Sequence, residues 1–239
     1  MAVLFNAMML SMSSASNPDI HFASVKLLAL NDNAPNGTTT FLDQAVPAHT
    51  ITRVADAIYT SAQKPTGMSS SGLFDGTGDY LSVSNSAGLD LSGDFTIEAF
   101  VRLGTTVGNH HLIGKYASNP TGPFAIYQNT SNIRFYAASV TTSWNLINGL
   151  LFGTFATDVW YHIEVTRSGD VYRTFKDGVL ANSLTVAGTL LVNTGAVTIG
   201  SNNAGGEGFN GWMASWRITK GIARHTANFT PPALPLPTF

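Results

Sequence analysis

The stretch Phe95-Thr96-Ile97-Glu98-Ala99-Phe100-Val101-Arg102 constrains the fold more than any other part of the chain. Phe95, Ile97, Ala99 and Val101 share one phase of a two-residue period, while Thr96, Glu98, Phe100 and Arg102 share the other. Successive side chains of a strand point to opposite faces, so this pattern puts one face on a core and leaves the other partly covered. A second sheet must then pack on the Phe95 face. Upstream, Leu73-Phe74 and Tyr80-Leu81-Ser82-Val83 flank Asp75-Gly76-Thr77-Gly78-Asp79. Gly and Asp tolerate the positive φ of tight reversals, which makes this a hairpin.

Other segments repeat the theme. Val25–Leu30, His110–Tyr116, Phe124–Gln128, Asn132–Ala137, Leu190–Gly200 and Gly211–Thr219 read as strands, and Thr39–Asp43 and Thr50–Tyr59 as shorter ones around Pro47. Val159–Arg167 alternates, with Tyr161, Ile163 and Val165 on one face and Trp160, His162 and Glu164 on the other. Val171–Lys176 and Val179–Leu184 flank Asp177-Gly178, the preferred pair for a type I′ turn. Residues 140–155 contain Trp144, Leu146 and Leu150–Phe152 without a firm period. Strands and turns about every ten residues, with no heptads or repeats, give a sandwich or jelly roll. The charged fraction agrees: at 11%, with three glutamates in 239 residues, the chain cannot dress the wet faces of long helices.

Charge and cysteine exclude several functions. A net charge of −2 leaves no electrostatic footprint for nucleic acid or an anionic membrane surface. Without cysteine there is no disulfide, thiolate metal site or thiol nucleophile. The mean hydropathy of +0.12 is high for so uncharged a chain and points to apolar surface covered by a partner, or to a thick core under a Ser/Thr/Asn surface. The N-terminal ten residues are apolar but contain no Lys or Arg and are interrupted by Asn6, which makes a poor signal peptide, and they are too short to span a bilayer. Residues 1–18 read as an assembly arm and linker, with Val3, Leu4, Phe5, Met8, Met9 and Leu10 as docking groups. Residues 19–230 form the domain. Residues 231–239 are a Pro-rich extension that must run outside any ladder, preceded by one helical-looking turn.

At this point the residues resemble a known family. Phe74-Asp75-Gly76-Thr77-Gly78-Asp79-Tyr80-Leu81-Ser82-Val83, Gly93–Glu98, Trp160–Arg167 and Phe175–Val179 are similar to the laminin G-like, concanavalin A-like lectin/glucanase jelly roll. The ending, Arg217–Arg224 through Thr226–Pro232, resembles the form of this domain in tailed-bacteriophage virion proteins. The resemblance covers roughly residues 20–235. It implies an all-β jelly-roll β-sandwich of two antiparallel sheets. Its functional implication is broader, because such jelly rolls serve as lectins, glycosidases and structural modules. Ala214 and Ser215 stand where the family often has acidic residues.

Each chemistry was weighed against a plainer role. Retaining glycosidases hold two carboxyls about 5–5.5 Å apart. The i±2 neighbours of Glu98 are Thr96 and Phe100, so a partner could come only from another strand, as His162 or Glu164; cross-strand polar pairing on a half-wet face is the plainer account. Asp75 and Asp79 beside a Gly-rich turn are oxygen donors of the kind Ca²⁺ takes, but two carboxylates fall short of its six or more ligands, and turn capping explains them as well. No other cofactor is implied. For glycans, Tyr116, Trp144 and Trp212 are stacking candidates, with Asn145, Asn202 and Asn203 as hydrogen-bonding partners; core packing is the competing role for each ring. The resulting expectation is a non-enzymatic virion structural protein, a capsid decoration or cement protein held by its termini. Its partners would be the major capsid protein or other virion proteins, and its state a homo-oligomer such as a trimer. The alternative is a lectin-like module on a tail or capsid surface that recognises host-surface glycans, and the third reading is a glycan-degrading enzyme.

Overall fold

The computed structural model describes residues 18–116, 122–202 and 205–239. The arm residues Val3, Leu4, Phe5, Met8, Met9 and Leu10, and Asn203, lie outside the described residues. Along the chain come β1 (Val25–Ala29), β2 (Ile51–Val54), β3 (Ile58–Thr60), β4 (Ser71–Asp75) and β5 (Tyr80–Val83). They are followed by β6 (Phe95–Leu103), β7 (Asn109–Tyr116), β8 (Phe124–Asn129), β9 (Asn132–Ala137) and β10 (Ile147–Thr154). The last five are β11 (Trp160–Ser168), β12 (Val171–Lys176), β13 (Val179–Thr185), β14 (Ala196–Ile199) and β15 (Asn210–Lys220). Among the described residues no helix is long and apolar enough to cross a membrane.

These strands form two antiparallel sheets. Sheet A runs β13-β12-β11-β6-β15-β4-β3, with β1 also on β15, and sheet B runs β10-β9-β8-β7-β14-β5-β2. The core between them takes Phe95, Ile97, Ala99 and Val101 from β6, and Ile163 and Val165 from β11. Sheet B answers with Phe124 and Ile126, Ile133 and Phe135, Val197 and Ile199. The all-β sandwich expected from the alternation is the fold observed. Asp177 and Gly178 both have positive φ, as a type I′ turn requires. The turn is also tied to β11, since the His162 backbone N–H donates to Asp177 Oδ1 at 2.9 Å.

Strand β15 departs from simple alternation. Its ladder with β6 shifts between Ala214 and Arg217, and Ser215 adopts φ 53°. This bulge changes the inward phase from Met213 to Trp216 and Ile218. It also divides the strand's other edge: β4 pairs with Asn210–Met213, and β1 with Trp216–Thr219.

Some elements differ from expectation. Asp75–Asp79 is not a hairpin turn but a crossover between the sheets, because β4 pairs with β15 and β3 in sheet A and β5 with β14 and β2 in sheet B. Residues 39–43 form only an isolated bridge, Asp43 to Ala29, because Asp43 spends its side chain on the backbone N–H groups of Leu28, Ala45 and His49. The strand expected over 190–200 is confined to β14. The ending contains no helical turn. Residues 221–239 instead run as a strap over the outer face of sheet A. Thr96 Oγ1 donates to the Ile222 carbonyl, Thr166 Oγ1 to that of His225, and the Phe229 N–H to that of Gly178. Phe229 stacks on His225 at 3.5 Å. Farther on, Leu236 is buried with Val25, Leu28 and Ala45, and the Asn31 side chain bonds both the N–H and the carbonyl of Leu236.

Candidate functional site

On the outer face of sheet B, β8 and β9 alternate so that Phe124 and Ile126, and Ile133 and Phe135, enter the core. The opposite phase carries Tyr127 and Tyr136, both half-buried. Trp144 completes the wall: its ring lies 5.5 Å from Tyr136, whose ring is 5.7 Å from Tyr127 at a T-shaped 88°. These three rings, with Asn109, Gln128, Asn129, Asn202 and Glu207, line a cavity of about 450 Å³. That is the size range of small-molecule sites, which are mostly concave and aromatic with a few placed polar groups.

The layer beneath fixes the rings. The Tyr116 and Tyr127 hydroxyls are 2.8 Å apart, and His111 packs edge-on to Tyr127 at 4.9 Å. Burial lowers the His111 pKa to about 3, so it stays neutral under the shelf. Burial, with the Glu207 carboxylate acting in the same direction, pushes the Tyr127 hydroxyl up to about 12. Glu207 is brought to the rim by its own backbone, whose carbonyl accepts the His111 N–H at 2.7 Å. Gln128 is fully buried and donates Nε2 to the carbonyls of Thr105 and Thr130. Its Oε1 has no partner among the described residues.

Of the residues expected to meet glycan, Trp144 and Asn202 line this cavity. Tyr116 is 2% exposed and supports Tyr127 from behind, so it cannot present a ring face. Asn145 is occupied in its own loop, accepting the Ser139 N–H and donating to Ser139 Oγ. Trp212 sits on β15 in the other sheet, with Arg102 over its ring at 4.8 Å. Tyr127, Tyr136, Glu207, Asn109, Gln128 and Asn129 are not singled out by sequence reasoning. The signal for the two tyrosines is present nonetheless: each is an aromatic residue in the polar phase of an alternating strand.

The carboxylates of sheet A tell a different story. Glu98 and Glu164 lie directly opposite each other in the ladder, and His162 Nε2 is 3.2 Å from Glu98 Oε2. The constellation of Glu98, His162 and Glu164 therefore forms, but not on a half-wet face. All three are at most 2% exposed, covered by the strap. Arg217 bonds Glu98 at 2.8–2.9 Å and Asp19 at 3.0 Å, Arg224 bonds Asp19 at 2.7 Å, and His225 bonds Glu164 at 2.9 Å. Burial opposes charge on Glu98, yet Arg217, His162 and Arg224 overcome it and hold the pKa below the usual range. Glu164 goes the other way, raised by burial and by the Glu98 charge. Both acids are engaged beneath the strap, Glu98 by the Arg217 guanidinium and Glu164 by the His225 ring. The arrangement is structural.

Asp75 and Asp79 are joined by Asp56, with carboxylate oxygens within 4.8 Å of one another. Asp79 Oδ1 accepts the Asp56 N–H and its Oδ2 the Asp75 N–H, while Asp75 Oδ1 accepts the Thr77 N–H. Both oxygens of the buried member are thus used in turn capping. Burial raises the Asp79 pKa, with the neighbouring acids contributing, the behaviour of a turn-capping carboxyl group among like charges.

The matching family model is described as the concanavalin A-like lectin/glucanases superfamily, of laminin G type, and it covers residues 75–224. No curated protein matches the chain's sequence. Among solved structures, the botulinum neurotoxin serotype D binding domain superposes with a TM-score of 0.65 at 14% identity, covering 86% of this chain and 50% of that one. A serotype D ligand binding domain in complex with N-acetylneuraminic acid gives 0.65 at 13%, covering 84% and 49%. A structure of botulinum neurotoxin type C, which depends on interaction with two ganglioside molecules to enter cells, gives 0.63 at 12%, covering 84% and 49%. The chain spans about half the length of these neighbours, and at such identities the likeness is one of fold.

Proposed function

The chain belongs to the concanavalin A-like lectin/glucanase superfamily, and from that membership we propose that it is a carbohydrate-binding module that works without catalysis. One observation carries the reading: the Tyr127–Tyr136–Trp144 wall shares a cavity of about 450 Å³ with the amides of Asn109, Asn129 and Asn202 and the Glu207 carboxylate. Aromatic faces suit the apolar face of a sugar ring, and the amides supply donors and acceptors for its hydroxyls. The glycan ligands of the neurotoxin neighbours support it as analogy on a shared fold. Binding is favoured over hydrolysis because Glu98 is buried against Arg217 and Glu164 against His225, and Glu207 is the one carboxylate lining the cavity among the described residues.

The setting we propose is a virion surface, on the strength of the sequence resemblance of the ending. There the module would ride on a capsid or tail protein as one copy of a homo-oligomer. The strap packs on its own sheet, so docking to the carrier is assigned to residues 1–17.

An array of oligosaccharides probed with the full chain tests the function. Retention of a defined subset is expected, with Trp144→Ala losing at least tenfold while its circular dichroism is unchanged. Equal retention by wild type and variant, or none by either, would overturn the reading.

A further inference from the structure

We infer that the cavity on sheet B accepts uncharged oligosaccharides and turns away acidic ones, a specificity that rests on the glycan-binding reading above. Two properties of the lining lead there. The first is charge. Glu207 is the ionisable acid of the lining, and no Lys, Arg or His lines the cavity. Three basic side chains approach from the surrounding strands, and each is otherwise committed. Arg134 on β9 acts on Tyr136 from outside the lining and gives Nη1 to the Gly149 carbonyl at 3.1 Å. His110 lies outside the lining, its ring set between the carbonyls of Gly208 and Val107. His111 is buried and neutral. The segments beyond the described residues add no cation: 117–121 read Ala-Ser-Asn-Pro-Thr, 203–204 read Asn-Ala, and 1–17 contain no Lys, Arg or His side chain. An acidic sugar would therefore meet a like charge with no counter-ion, and in a half-enclosed site such repulsion is stronger than in water.

The second feature is hydrogen-bond polarity. The Glu207 carboxylate in the lining is acceptor-only. The wall thus asks its ligand for donors. Sugar hydroxyls and acetamido N–H groups provide them, whereas an ionised sugar carboxylate offers acceptors alone.

The test uses the full chain on an array of matched pairs, each a neutral oligosaccharide and the same glycan capped with N-acetylneuraminic acid. Wild type is expected to bind neutral members only. Glu207→Gln keeps the side-chain shape and should raise binding of the sialylated partners about tenfold, the factor one unit charge exerts on another about 6 Å away in a half-wet site. Binding of sialylated members as well as or better than neutral ones, or no change in Glu207→Gln, would overturn the specificity while leaving the glycan reading standing. Silence from every glycan by folded protein would remove the glycan reading itself, and the specificity with it.

Discussion

Arg217→Met isolates the physics of the sealed face of sheet A. Arg217 gives Glu98 two short bonds, from Nε and Nη2, and reaches Asp19 with Nη1, and all of these side chains are at most 5% exposed. Breaking one side of a buried ion pair costs about 3–5 kcal/mol, because the remaining charge keeps its desolvation penalty. Here Glu98 would retain His162 at 3.2 Å and Arg224 at 3.8 Å, and Asp19 would retain Arg224. That residual pairing places the expected loss near the low end, about 3 kcal/mol at pH 7.5. The pH dependence follows from the sign of the shift. The wild-type Glu98 pKa lies below its unfolded value of 4.5, so its stabilisation is complete above that pH and is lost as pH falls through the folded value. In the variant the burial penalty is no longer outweighed, the folded pKa rises, and the charged carboxylate becomes a burden at neutral pH. The gap between the two proteins should be widest at pH 7.5 and shrink below about pH 4.5. Glu164, raised by burial and by the Glu98 charge, disfavours the folded state as pH rises and is coupled to Glu98 in both proteins. Urea denaturation followed by tryptophan fluorescence at several pH values measures it. A loss under about 1 kcal/mol, or one that does not change with pH, would refute the reasoning. Glu98→Gln combined with Arg217→Met should recover at least half of the loss, since no charge is then stranded.

Phe95→Ala should cost about 3–5 kcal/mol in the same assay, because Phe95 is fully buried against Phe135 and Tyr172; a loss well under 1 would contradict its place in the core. Gly178→Ala should destabilise by about 2 kcal/mol and loosen the strap, as φ is 75° and a Cβ would stand 2.0 Å from the Phe229 carbonyl oxygen. Faster hydrogen exchange confined to residues 225–232 would report it, and unchanged protection would count against the strap geometry. Deleting residues 1–17 should leave thermal unfolding of the domain unchanged but abolish cosedimentation with expanded capsids; undiminished cosedimentation would dismiss the docking role.

The sandwich was readable because its strongest signals are local and periodic. Phe95–Arg102 and Trp160–Arg167 alternate cleanly, and Asp177-Gly178 names its own turn. What alternation could not supply was the bulge at Ser215, where one residue at positive φ puts Met213 and Trp216, three positions apart, on the same core-facing side. Nor could it say what covers an outer face. Glu98 and Glu164 look half-wet when the sheet is considered alone, and they are dry because residues far along the chain return to lie on them. The aromatic wall was missed for a related reason. Tyr127 and Tyr136 are separated from Trp144 by a loop with no period of its own, and only tertiary packing joins them.

Strand β15 has a consequence for how the chain reaches this state. It is the last of the fifteen strands, yet it occupies the middle of sheet A, with β6 on one edge and β4 and β1 sharing the other. A nascent chain that has emerged only as far as residue 209 holds three strands whose edges still await their partner, all long-range pairings with slow closure. Such open edges invite pairing between chains. Folding of the sandwich should wait until β15 has emerged, and chains truncated before Asn210 should aggregate rather than form a smaller sandwich. The strand that completes the sheet also carries the bulge that bends it, so β15 acts as a keystone set after its neighbours.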